Sequence, residues 1–191
     1  MFCLNQNYCR WLANCSGLLI FIMALVAGQA AEELKQYHLK AAFLFKFTTF
    51  VKWPPTAFAK SNSPLVIGVL GKARISAALQ KLVKNRKVQG RKIEVIRLRP
   101  KSNFTQCHVV YIGQSEKAHL AEALSLVAGH SVLTVSETER FLENGGMINL
   151  IVRNKQVGFE INADNLARVH LKPAWQLLDL AERVIQSKSK T

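Results

Sequence analysis

The stretch Leu65-Val66-Ile67-Gly68-Val69-Leu70, followed by Gly71, decides the fold class of this chain. Its unbroken apolar character is typical of a strand that is buried on both faces. After Gly71 the apolar residues recur at helical spacing, with lysines on the opposite face. The apolar face of this helix consists of Ile75, Ala78, Leu79, Leu82 and Val83. A buried strand that leads into an amphipathic helix predicts the first unit of an α/β domain.

Strands and helices alternate through the rest of the chain. Predicted strands cover residues 93–98, 109–112 and 132–135, and a helix that Ser115 caps and Gly129 stops lies between the last two. Two more strands, 147–152 and 156–161, join around Asn154-Lys155 as an antiparallel hairpin. Helical spacing returns at 163–169 and 174–185. This order predicts one three-layer α/β domain with a mostly parallel mixed sheet and a late β-hairpin.

Upstream of the first strand, an aromatic-rich helix is predicted from Glu32 to Trp53, where Pro54-Pro55 ends it. Its aromatic residues are too many for one helix face; they are Phe43, Phe45, Phe47, Phe50 and Trp53. We expect most of these rings in the core and an exposed remnant near Trp53-Pro54-Pro55 that suits a protein interface. The candidate partner-binding residues are therefore Phe47, Phe50, Trp53 and Pro54.

The first thirty residues differ in kind from the rest and predict a signal peptide. They hold one basic residue, Arg10, no acidic residue, and an apolar run, Leu18 to Ala27, that is too short to span a bilayer. Gly28-Gln29-Ala30 places small residues where signal peptidase reads, so we expect cleavage after Ala30 and a mature domain over residues 31–191. A buried helix or an uncleaved anchor is the alternative interpretation of this segment.

The chain is strongly basic, with 26 Lys and Arg against 12 Asp and Glu, a net charge of +14. Such a surface attracts nucleic acid, anionic lipid and acidic proteins through the same long-range field. Export argues against nucleic acid as the partner. Of the four cysteines, only Cys107 lies outside the first thirty residues, so the mature domain cannot form an internal disulfide.

Motifs for catalysis, cofactors or metals do not emerge from the sequence. Gly68 and the Gly71-Lys72 pair lack the spacing of a phosphate loop, and Ala73 stands where Ser or Thr is needed. The five histidines form no i,i+4 pair and have no partner cysteines, so we expect no metal site. Adjacent Cys107 and His108 would point to opposite faces of a strand, which predicts a core thiol beside an exposed ring. We therefore expect a protein that is not an enzyme.

Three charged or polar residues near the end of the chain are candidates for binding a small ligand. Glu160 lies in an apolar strand, and Arg168 and His170 follow shortly after it. A carboxylate beside a cation and an imidazole could orient a small charged molecule. A solvated strand face and a helix end that Arg168 or His170 stabilises are the plainer interpretation of the same residues.

Several segments taken together resemble the YfiR/HmsC family of periplasmic proteins. The resemblance follows the chain in order and covers nearly all of the mature part. The matching segments are LKAAFL (39–44) with Trp53-Pro54, PLVIGVLGK (64–72), GRKIEVIRL (90–98), CHVVYIGQSE (107–116), VLTVSE (132–137), GGMINL (145–150) and VGFEIN (157–162). Each segment alone is a generic strand or turn, but their order is specific.

The resemblance implies a periplasmic repressor that binds the sensing region of an inner-membrane diguanylate cyclase and thereby lowers cyclic di-GMP and biofilm formation. It also implies a homodimer. Some relatives use disulfides for stability or redox response, and Cys107 is at the position of one such cysteine, but its partner is missing here. The competing hypothesis is a periplasmic small-ligand binding module that uses Glu160, Arg168 and His170. An enzyme is a third class.

Overall fold

The computed structural model describes residues 32–153 and 156–187. Contacts between Cα atoms divide the chain into Met1–Gln36 and Tyr37–Thr191, and the domain described below is the second of these units. The predicted signal peptide, residues 1–30, and the predicted hairpin turn, Asn154-Lys155, lie outside the described residues.

The domain alternates strands with short helices. A helix, α1, covers residues 32–50, of which 37–50 belong to the domain. The later helices are α2 (Ala73–Val83), α3 (Leu120–Val127), α4 (Ala163–Arg168) and α5 (Trp175–Asp179), with 3-10 turns at Pro55–Ala57 and Gln114–His119. The strands are β1 (Val51–Lys52), β2 (Leu65–Leu70), β3 (Lys87–Val88), β4 (Arg91–Leu98), β5 (Val109–Ile112), β6 (Leu133–Ser136), β7 (Ile148–Arg153), β8 (Gln156–Asn162), β9 (Lys172–Pro173) and β10 (Arg183–Ile185).

Eight of the strands in the described ranges form one mixed sheet, in the order β10-β8-β7-β6-β5-β2-β4-β3. The pairs β2–β4, β2–β5, β5–β6, β6–β7 and β8–β10 are parallel. The pairs β7–β8 and β3–β4 are antiparallel. The predictions of a mostly parallel mixed sheet and of antiparallel pairing between the late strands are confirmed.

Side chains alternate along the central strands between two apolar layers. In β2, Ile67 and Val69 face a core that α1, α2, α4 and α5 cover. Leu70 faces a second core, which includes α3 and Phe104. Because residues that are two apart on a strand share a face, each central strand contributes to both cores. The result is the predicted three-layer arrangement, with helices on the two faces of the sheet.

Three predicted elements are wrong in extent or type. Helix α1 ends at Phe50 rather than Trp53, because Val51–Lys52 pairs with Lys172–Pro173 as the ribbon β1–β9. Ser115 does not cap α3, since it lies inside a 3-10 turn that is kinked at Glu116. The predicted helix over residues 174–185 ends at Asp179, and Arg183–Ile185 instead adds a parallel strand beside β8.

A buried polar contact fixes α1 on the sheet. The ammonium group of Lys40 on α1 is paired with the carboxylate of Glu137, which follows β6 directly. The Tyr111 hydroxyl on β5 donates a hydrogen bond of 2.7 Å to the same carboxylate. Burial first, and the charge of Glu137 second, raise the pKa of Tyr111 far above its ordinary value, so this hydroxyl remains a donor. One carboxylate therefore joins α1, β5 and the end of β6.

Gly146 is packed against the ring of Phe141, and we predict that Gly146→Ala destabilises the domain. A Cβ at this position would overlap with ring carbons of Phe141, a fully buried side chain that has no room to move. Overpacking of this kind costs about 1–3 kcal/mol. Urea unfolding should show the loss, and the same substitution in a Phe141→Leu background should cost less. Equal losses in the two backgrounds would contradict this explanation.

Candidate functional site

An apolar groove between α1 and α5 is the candidate functional site. It has a volume of about 310 Å³. Its lining is almost entirely aliphatic and aromatic, and consists of Leu39, Ala42, Phe43, Lys46, Phe47, Phe50, Phe159, Leu177 and Leu180. Lys46 is the one charged residue in this lining. We refer to these nine residues as the α1–α5 groove.

Three aromatic rings in tilted and edge-to-face contact form the floor of the groove. Phe47 of α1 and Phe159 of β8 meet edge to face with ring centroids 5.2 Å apart. Phe43 lies 6.0 Å from Phe47 and 5.9 Å from Phe159 by the same measure. Tilted and edge-to-face rings at these separations stabilise each other beyond the area they bury. The floor is therefore a preformed apolar surface.

The two walls of the groove are tied together by backbone hydrogen bonds. The β1–β9 ribbon places Val51 opposite Pro173 and Lys52 opposite Lys172. Immediately after it, the backbone N–H of Ala174 donates to the carbonyl of Phe50 over 2.7 Å. Because Phe50 is the last residue of α1 and Ala174 precedes α5, these contacts hold the helices side by side.

Large apolar side chains are exposed along the groove. Leu39 and Leu180 in its lining are 37% and 66% exposed. Trp175, which opens α5, is 70% exposed. Isolated exposed apolar residues are common on soluble proteins, but a cluster around a cleft is typical of a surface that another molecule covers. The groove can therefore bind an apolar helix or loop of another molecule.

The sequence predicted four partner-binding residues, Phe47, Phe50, Trp53 and Pro54. Two of them line the groove and two do not. Phe47 and Phe50 both line the groove, where Phe47 is buried in the floor and Phe50 is half-buried. Trp53 is 7% exposed, and its indole N–H donates to the carbonyl of His108, so the expected exposed ring is not there. Pro54 is half-buried and lies outside the groove lining.

Leu39, Trp175 and Leu180 were missed as candidate surface residues. The signal for two of them is the composition of the segment from Trp175 to Leu180, in which four of six residues are apolar. A long helix could bury such a face, and the segment was predicted to be one. In a helix that ends at Asp179, the same residues cannot all reach the core.

The predicted ligand-binding residues Glu160, Arg168 and His170 are not joined by hydrogen bonds. Glu160 accepts a hydrogen bond of 2.9 Å from Arg183, its register partner on β10. Arg183 also bonds Glu143 over 3.0 Å, and these carboxylates raise the pKa of its guanidinium. Arg168 donates to Asn165 within its own helix, and the His170 side chain is exposed. The carboxylate of Glu160 is thus already neutralised by a structural cation.

Cys107 and His108 are both buried, so the expectation that the His108 ring is exposed was wrong. Cys107 is buried in the second core, where burial raises the pKa of its thiol to about 12 and keeps it protonated at neutral pH. The His108 ring is stacked on Phe58 with centroids 4.3 Å apart. Its Nδ1 accepts from the backbone N–H of Val66 over 3.0 Å, and its Nε2 lies 3.2 Å from the carbonyl of Ala57. These partners require the neutral tautomer that carries its proton on Nε2.

We predict that His108 makes the domain less stable in acid. Burial lowers the pKa of His108 below its ordinary value, so the unfolded chain binds a proton more readily than the folded one. The neutral His108 ring contributes fully to the free energy of unfolding above about pH 6.5. This contribution is lost as the pH falls below that value towards the pKa of His108 in the folded state. Urea midpoints measured across this range should fall, and a His108→Gln variant should show a smaller fall. Parallel curves for the two proteins would contradict the prediction.

Within residues 32–153 and 156–187, no three His, Cys, Asp or Glu side chains are grouped so that they could hold a metal ion. None of the helices in the same ranges is long and apolar enough to cross a bilayer.

Comparison with known proteins gives a family match and a distant structural similarity. A family model described as YfiR/HmsC-like matches residues 37–182. Among solved structures, a conserved domain protein from Vibrio cholerae O1 biovar El Tor strain N16961 is similar at 11% identity, over 62% of this chain and 54% of that chain, with a TM-score of 0.45. The chain thus spans about half the length of that protein. A similarity this distant does not bear on function.

Proposed function

Because this chain belongs to the YfiR/HmsC-like family, whose members are periplasmic regulators of diguanylate cyclase signalling, we propose that it is a repressor of one such cyclase. It binds the sensing region of the inner-membrane enzyme and lowers cyclic di-GMP and biofilm formation. The proposal places the protein in the periplasm after cleavage behind Ala30, as a homodimer. It assigns the protein no reaction of its own.

The exposed α1–α5 groove is the observation that carries this proposal. Protein interfaces depend on a few large apolar side chains in well-packed pockets, surrounded by polar residues. The groove supplies the pocket, Leu39 and Leu180 supply apolar contacts, and Lys46 supplies a positive charge for an acidic residue of the partner. An apolar segment of the cyclase fits this surface better than a small charged ligand does.

Repression also sets an energetic requirement. A repressor shifts a two-state enzyme only by the difference between its affinities for the inactive and the active form. Moving the balance from 1:99 to 99:1 takes about 5.5 kcal/mol. Two or three buried apolar anchors can provide a difference of this size, provided that the active form of the cyclase hides or distorts the segment that fills the groove.

Deletion and co-purification together test the proposal. The cyclic di-GMP level should rise when the gene for this protein is deleted in cells that express the cyclase. It should fall back to the parental level when the gene is restored. The tagged protein, isolated from solubilised membranes, should bring the cyclase with it. Unchanged cyclic di-GMP in the presence of an active cyclase would refute the repressor function, whatever the protein co-purifies with.

A further inference from the structure

A second surface, which shares no lining residue with the α1–α5 groove, carries a concentration of positive charge. No acidic residue occurs in the sequence between Glu33 and Glu94. The end of α2 and the β3–β4 hairpin are the richest part of this interval; their basic residues are Lys81, Lys84, Arg86, Lys87, Arg91 and Lys92. The hairpin forms one edge of the sheet. Six basic residues therefore lie at this edge of the domain, and Glu94 on β4 is the first acidic residue that follows them in the sequence.

Three of these lysines line one open cleft. Lys84, Lys87 and Lys92 surround a space of about 490 Å³, and no acidic residue belongs to its lining. All three are exposed. Among the ion pairs of the described residues, none includes any of them. We call these three residues the basic edge.

The strand register of the β3–β4 hairpin places two positive charges opposite each other, which destabilises the hairpin. Lys87 is the direct antiparallel partner of Lys92. Like charges directly opposite each other on neighbouring strands destabilise the pair. A single lysine is enough to protect an edge strand from pairing with another chain, so edge protection explains one of these residues but not the facing pair. The β1–β9 ribbon carries a facing pair of the same kind, Lys52 and Lys172, and what sets the basic edge apart is a third lysine, Lys84, on the same cleft with no acidic residue in its lining.

The neighbouring arginines, in contrast, have structural partners. The Arg91 guanidinium lies 3.6 Å from the ring centroid of Phe58 and donates to the carbonyls of Lys60 and Ser63. The Arg86 guanidinium lies 5.1 Å from the ring centroid of Phe45. At this edge, Arg86 and Arg91 thus contact other parts of the fold, whereas the three lysines are exposed to solvent.

We propose that the basic edge binds the anionic phospholipid headgroups of a membrane surface. Lysine presents a compact charge on a flexible stem, which suits a fluid surface of phosphates. A specific protein interface would need apolar anchors, and the large exposed apolar side chains of the described residues all lie outside residues 80–95. Each lysine near an anionic bilayer strengthens partitioning about five-fold. The inference does not require the cyclase, so it can fail or succeed independently of the repressor function.

Co-sedimentation with vesicles tests this inference. Protein purified from the periplasm is mixed at low salt with vesicles of phosphatidylcholine, with or without phosphatidylglycerol. The variant Lys84→Gln/Lys87→Gln/Lys92→Gln should lose binding to the anionic vesicles by roughly a hundred-fold, three factors of about five. The control Lys101→Gln/Lys117→Gln/Arg140→Gln removes the same charge from exposed positions elsewhere and should stay within a few-fold of the parent. High salt should abolish binding of the parent protein.

Several results would overturn the inference. Equal losses in the two triple variants would mean that only net charge matters. Equal binding to neutral vesicles would assign the interaction to apolar surface. Binding to polyglutamate but not to anionic vesicles, with the same dependence on the three lysines, would assign the basic edge to an acidic protein. If the triple variant fails to fold, Lys84→Gln alone, outside the strand pair, should lower vesicle binding about five-fold.

Discussion

Replacing Leu180 by Glu should abolish repression and raise cyclic di-GMP to the level of the deletion strain. Leu180 lines the α1–α5 groove and is 66% exposed, so the substitution leaves the fold intact. In the complex, the carboxylate would be buried among Phe43, Phe50 and Leu39, and it would compete with the partner for Lys46, the one charged residue of the groove lining. Burial of a carboxylate and loss of an apolar anchor together cost several kcal/mol, which corresponds to at least a hundred-fold loss of affinity.

A matched variant separates loss of the groove from a general effect of added charge. Leu126 on α3 is 40% exposed and lies in the helix that covers the other face of the sheet. Leu126→Glu makes the same chemical change and should leave cyclic di-GMP at the parental level. Circular dichroism should show that both variants are folded. Full repression by Leu180→Glu, or equal loss in the two variants, would exclude the groove as the docking surface.

Removing the carboxylate that anchors α1 should have the largest effect on stability. In a Glu137→Leu variant, the ammonium group of Lys40 loses its counter-ion, and the Tyr111 hydroxyl loses its acceptor. The Lys40 and Glu137 side chains are only 9% and 15% exposed, so water cannot replace the lost carboxylate fully. Breaking a buried ion pair costs about 3–5 kcal/mol, a large share of the 5–15 kcal/mol that stabilises a typical domain.

The double variant Lys40→Met/Glu137→Leu tests this explanation. It removes the buried charge along with its partner and puts apolar side chains of similar size in their place. Buried pairs replaced in this way are often neutral or even stabilising, so the double variant should be more stable than Glu137→Leu alone. Urea unfolding of the parent, single and double variants measures the difference. A double variant less stable than the single one would show that Lys40 does not need Glu137.

The sequence predicts those parts of the fold that local patterns determine. Strand β2 and helix α2 follow from an apolar run and a helical stripe, and β5 follows from the run Val109 to Ile112. Long-range pairing is different. Val51 forms a strand only because Pro173 lies beside it, and no feature of residues 51–52 alone indicates that partner. The strand at Arg183–Ile185 exists because it pairs with the edge of β8. The helical spacing of residues 174–185 could not predict this long-range pairing.

The site shows the same division between local and long-range information. The excess of aromatic residues on α1 drew attention to Phe47 and Phe50, which both line the α1–α5 groove. It could not show that Trp53 is turned inward by a hydrogen bond to the carbonyl of His108, a residue far along the chain. Nor could it show that Glu160 pairs with Arg183 rather than Arg168. Side chains that hydrogen-bond across the sheet depend on register, and register is fixed by the assembled fold.

The α1–α5 groove has one consequence for how the protein is made. One wall comes from α1, near the start of the domain, and the other from residues 174–180, near its end. An incomplete chain therefore has no groove until α5 has been made. Of the eight-stranded sheet, only β10 follows this helix in the chain, so the groove is among the last surfaces of the domain to form. Under the proposed repressor function, only nearly complete molecules would then bind the cyclase.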